Sequence, residues 1–102
     1  MIRGTTPTHI FTTPLDVEII SDLRLSYAQE GVEIFNKKKS EVTLDGKTIS
    51  VRLTQEETLK FDTAKGVAQI QLKVLTAGGD VFSSDVMNVN VWDSINNEVL
   101  KV

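Results

Sequence analysis

The chain has no cysteine, which excludes a disulfide framework, a thiolate metal centre and a thiol nucleophile together. It has a single histidine, His9, so no site that needs two imidazoles can be built within one copy. Long apolar runs are missing as well. None exceeds three residues, against the roughly 20 that a membrane-spanning helix requires. The stretch Met1–Pro7 lacks the apolar core of a secretory signal, so an intracellular origin is the default expectation. Nor does charge of one sign dominate: 11 Lys and Arg against 14 Asp and Glu leave −3. That balance gives no electrostatic reason to expect nucleic acid or an anionic membrane as a partner.

What is present is the composition of a soluble globular domain, 40% apolar and 25% charged over 102 residues. A single domain over 1–102 is expected, with 1–5 and 94–102 loosely ordered at its ends. Apolar residues recur with period two along most of the chain, the mark of strands with one face on a core and one in water. Leu23, Leu25 and Tyr27 form one such set, Val42 and Leu44 a second, and Ile49, Val51 and Leu53 a third. Ala68, Ile70, Leu72 and Val74 form the longest, and Met87, Val89 and Val91 the last.

The breaks between these runs carry turn chemistry. Asp45-Gly46 suits the tight turn that matches strand twist, and Ala77-Gly78-Gly79-Asp80 and Glu30-Gly31 offer two further hairpins. Pro7 and Pro14 bracket Thr8–Thr13, which confines that stretch to a sheet edge because proline cannot donate to a ladder. One segment leaves the period. Thr54-Gln55-Glu56-Glu57 matches the S/T-x-x-E capping box and predicts one or two helical turns. Leu59 and Phe61 would then tuck beneath the sheets before Lys65-Gly66 ends the excursion. The expected fold is therefore all-β, an antiparallel sandwich of about seven strands with one short helical crossover.

Few residues invite a chemical role. His9 has no local nucleophile or orienting carboxylate, and reads as a strand residue that faces outward or is capped by a hydroxyl. Lys37-Lys38-Lys39 reads as a solvated turn that guards neighbouring strand edges. Asp80, Asp85 and Asp93 lack the spacing of a calcium loop and read as turn residues. Trp92 follows the inward-facing Val91, so it falls on the opposite face, where it either anchors an interface or is covered by the C-terminal apolar residues. The sequence thus offers no catalytic residue, no metal ligand set and no cofactor site. Its candidate interaction surface is Trp92, Val99 and Leu100 near the C-terminus, with His9, Ile10 and Phe11 on the proline-bracketed strand. Edge pairing through Thr8–Thr13 or Asn97–Val102 is the simplest docking mode.

The opening Met1-Ile2-Arg3-Gly4-Thr5-Thr6-Pro7-Thr8 resembles the start of small proteins encoded among the prophage structural genes of Gram-positive bacteria. The blocks Val51–Phe61 and Val67–Thr76 are similar to theirs too, and the whole layout resembles the N-terminal immunoglobulin-like module of phage baseplate upper proteins. This resemblance implies an immunoglobulin-like sandwich and a non-catalytic role in tail or baseplate assembly. It implies other phage structural proteins or further copies of the chain as partners, with no small-molecule ligand. It places the protein in the bacterial cytoplasm during phage assembly and in the virion thereafter. The competing expectation is a carbohydrate- or cell-surface-binding module that uses Trp92 as a stacking platform.

Overall fold

A computed structural model describes residues 1–102. Its strands, in chain order, are β1 (Thr8–Thr12), β2 (Ile20–Gln29), β3 (Val32–Lys38), β4 (Thr43–Asp45), β5 (Thr48–Arg52), β6 (Val67–Thr76), β7 (Val81–Ser83) and β8 (Met87–Asn90). A one-turn helix, α1 (Gln55–Thr58), lies between β5 and β6. The strand beyond the expected seven is β7, which pairs through Val81–Ser83 with Lys73–Leu75 just after the glycine turn.

Two antiparallel sheets face each other. The small one has the order β1-β5-β4, with β1 at its edge as the flanking prolines require. The large one has the order β3-β2-β6, with β7 and β8 both beyond β6. Because β7 pairs with one half of β6 and β8 with the other, they form a single edge row. All three expected hairpins are present, and their glycines Gly31, Gly46 and Gly79 take the positive φ that each tight turn demands.

The capping box forms as its spacing predicts. Thr54 Oγ1 accepts from the Glu57 N–H at 3.1 Å, and a Glu57 carboxylate oxygen accepts from the Thr54 N–H at 2.8 Å. Past this turn Phe61 is buried, and the chain has passed from the small sheet to the large one. The alternating sets bury as they alternate: Leu23, Leu25, Tyr27, Ile49, Val51, Leu53, Ala68 and Ile70 are all closed off from water. At the centre Tyr27 stacks on Phe35 with centroids 4.8 Å apart, and Phe61 meets both rings edge-on.

Two expectations need correction. Lys37-Lys38-Lys39 is not a solvated turn. Lys37 is 6% exposed and its ammonium meets the Glu57 carboxylate, while Lys39 donates to the Ile20 carbonyl at 3.0 Å. The alternation of β3 turns Lys37 inward beside Phe35, and a carboxylate on the crossover receives it. Residues 1–5 are hydrogen-bonded rather than loose, because their partners lie far away in sequence. The Met1 amino group donates to the Asn90 carbonyl, Arg3 reaches Asp93 and the Leu59 carbonyl, and the Gly4 N–H donates to Thr58 Oγ1. Asn97–Val102 forms no strand. The backbone of Leu100 is instead clasped by the Gln55 side-chain amide, which donates and accepts at 2.8 Å each.

Candidate interaction surface

The residues singled out from the sequence fall into two places. His9, Ile10 and Phe11 occupy β1, where His9 and Phe11 turn toward the large sheet and Ile10 turns to water, 67% exposed. His9 Nδ1 lies 2.7 Å from the Tyr27 hydroxyl and its ring stacks on the tyrosine. Burial lowers the His9 pKa and the positive amino terminus adds to the effect, while burial raises that of Tyr27 and the Glu57 charge adds to that. Both groups are thus held neutral, and the pair is a core hydrogen bond capped by a hydroxyl. No nucleophile or carboxylate completes it.

Trp92, Val99 and Leu100 lie at the end of the sandwich where β1 begins. Trp92 is 61% exposed, so the C-terminal residues do not cover it. It forms a parallel bridge with Ile2, fixed by the Trp92 N–H on the Met1 carbonyl (2.8 Å) and the Arg3 N–H on the Trp92 carbonyl (2.9 Å). Bridged residues present their side chains to one face, so Trp92 and the half-exposed Ile2 form an apolar pair on the surface. Val99 is partly covered, and Leu100 is exposed beyond it. The two groups do not converge on one pocket.

Sequence reasoning missed one further surface. A groove of about 330 Å³ opens between Thr12–Leu15, which follow β1, and Leu72, Val74 and Phe82 of the large sheet. Phe82 pairs with Val74 and therefore faces the core, yet it is 50% exposed where Val74 is 4%. Its signal was the apolar pair Val81-Phe82 after the glycine turn, in a strand too short to show alternation. Asp80, Asp85 and Asp93 do not gather: the molecule has no group of three metal-ligating side chains, and Asp93 is engaged by Arg3. No helix is long and apolar enough to cross a membrane.

The strand order defines the class. Immunoglobulin sandwiches set strands A, B, E and D against C, F and G, and variable types add C′ beside C. Here β1, β5 and β4 take the places of B, E and D. The places of C′, C, F and G fall to β3, β2, β6 and the β7/β8 row, with every crossing between sheets in the same sequence order. The chain is an immunoglobulin-like β-sandwich without a strand A. No family model and no curated protein matches it. Among solved structures it is similar to the V domain of amphioxus IgVJ-C2, at 9% identity and a TM-score of 0.39, over 89% of this chain and 96% of that one.

Proposed function

We propose that this protein is a non-catalytic structural or assembly component of a phage or prophage, associated with the tail or baseplate, that acts by protein–protein contact. The observation that carries the contact reading is the bridged pair Trp92 and Ile2, two large apolar side chains held on the surface by three backbone hydrogen bonds. Tryptophan is enriched among the residues that anchor protein interfaces. The phage assignment rests on the likeness of the Met1–Thr8, Val51–Phe61 and Val67–Thr76 blocks to small prophage structural proteins. On this reading the partners are other phage structural proteins or further copies. The site of action is the bacterial cytoplasm during assembly, followed by the virion.

The test is titration of the purified products of neighbouring tail genes against the wild-type chain and a Trp92→Ser/Ile2→Ser variant. The variant should bind one of them at least tenfold more weakly, since anchor truncation costs roughly 2 kcal/mol or more. Equal binding by both chains, or binding to none of the products, overturns the reading. The exposure of Trp92 also favours a second reading, glycan stacking on the indole. As Trp92 is the only tryptophan, a blue shift of its emission on adding cell-wall polysaccharide would support that reading, and an unchanged spectrum would remove it.

A further inference from the structure

We infer that the unfilled place beside β1 accepts the C-terminal segment Ile95–Val102 of a second copy, which adds there as a fourth strand of the small sheet. The inference rests on the contact reading above and names one partner for it.

The acceptor is defined by cover. The large sheet is four rows wide and the small sheet three. The row left uncovered is β7/β8, since the groove runs from the end of β1 to Phe82. That is why Phe82 is half exposed although it faces inward. Met87 and Val89 are likewise only partly buried, although their partners Ile70 and Ala68 are sealed. Strands lie about 4.8 Å apart, so one more row beside β1 covers this face. By the strand order, an antiparallel union of two whole sandwiches through β1 would set the second copy's β6 in the place of the first copy's β7/β8 row. The occupant is a lone extended segment.

The edge of β1 is ready to pair. Pro7 accepts from the Leu53 N–H, and the Thr13 N–H donates to Lys47. In an antiparallel ladder hydrogen-bonded pairs alternate, so His9 and Phe11 also bond to β5, while Thr8, Ile10 and Thr12 direct their N–H and C=O groups to the open side. Exposed edges are ordinarily guarded by charge, proline or a bulge. The strand Thr8–Thr12 has none of these, whereas the edge strand β3 carries the exposed charges Glu33 and Lys38.

The donor is equally plain. Ile95 and Val102 are fully exposed and Leu100 is 72% exposed, in a segment with no secondary structure of its own. When extended, Leu100 and Val102 fall on one face. The Gln55 amide already makes both hydrogen bonds to Leu100 that a narrow antiparallel pair would make. The donor comes from another copy for a reason of direction. Arg3 holds Asp93 at the end where β1 begins, so the chain's own segment enters only parallel to β1. A second copy's segment enters antiparallel, the more stable pairing.

The experiment uses two full-length variants. Ile10→Pro removes the central open-side N–H of the acceptor, with Ile10→Lys as a substitute that leaves the backbone intact. Leu100→Asp/Val102→Asp disables the donor at two exposed positions. Circular dichroism and thermal unfolding establish that each is folded. By light scattering over a wide concentration range, the wild-type chain should associate, and each variant alone should require at least tenfold higher concentration to do so. Mixed, the two variants should form a pair of one copy each that grows no further. If the wild-type chain is monomeric throughout, if either variant associates normally, or if the mixture gives no pair, strand donation is wrong. Contact through Trp92 is untouched by those outcomes, because its own titration reads it separately.

Discussion

Lys37 and Glu57 form the one ion pair drawn out of water, with side chains 8% and 18% exposed. The same carboxylate closes the capping box, so one side chain ties the crossover to β3 and starts the helix. Burial alone would raise the Glu57 pKa, but hydrogen bonds from Lys37 and from the Thr54 N–H outweigh it and hold the carboxyl below its ordinary 4.5. A folded value below the unfolded one makes this stabilisation complete above the unfolded pKa and lost as pH falls through the depressed folded value. Glu57→Gln leaves the Lys37 ammonium in the core without its counter-charge, and should cost about 3 kcal/mol in urea unfolding. Lys37→Met should cost about 1 kcal/mol, because Glu57 retains water and Thr54. The double variant Lys37→Met/Glu57→Gln should lie within about 1 kcal/mol of wild type and show a flatter loss of stability below the Glu57 range. Additive single costs in that cycle would mean that the pair is not coupled.

Among the elements, the β2–β3 hairpin carries the one side chain forced into the left-handed region. Glu30 has φ of 50° and Gly31 follows at 76°, the pair of positive angles that a type I′ turn needs. Glycine adopts this freely and asparagine does so at small cost, while glutamate is strained there. Glu30→Asn should therefore raise stability by roughly 0.5 kcal/mol with no change in the fold, as read from the urea midpoint. A lower midpoint would mean that the glutamate makes a contact worth more than the strain. This turn was legible in the sequence because its cause is local, as were the Thr54–Glu57 cap and the inward faces of β2, β5 and β6. Lys37 was not, because three adjacent lysines look alike until a partner 20 residues away in the chain distinguishes the first. Phe82 was not either, since a three-residue strand is too short to reveal which way it faces.

At the scale of the whole molecule, the sandwich is a slab of 47 × 33 × 17 Å whose two sheets differ in width. That mismatch, and not any single residue, creates the acceptor face. The sequence could announce the edge strand through Pro7 and Pro14, but not that nothing lies beside it, since an absent neighbour leaves no pattern. The exposure of Trp92 was half legible: alternation put it outside, and only the third dimension showed the C-terminal residues leaving it bare. Those residues are diverted to Gln55. If the clasp holds the donor back, releasing it favours exchange between copies. Gln55→Ala removes both hydrogen bonds to Leu100 while keeping a good helix former beside an intact cap, so thermal stability should fall by no more than the worth of those bonds, about 1 kcal/mol. Two solvent-exposed bonds together are worth about 1 kcal/mol, so association followed by light scattering should strengthen about fivefold. Unchanged or weaker association in a variant that remains folded would show that the clasp does not compete with strand donation.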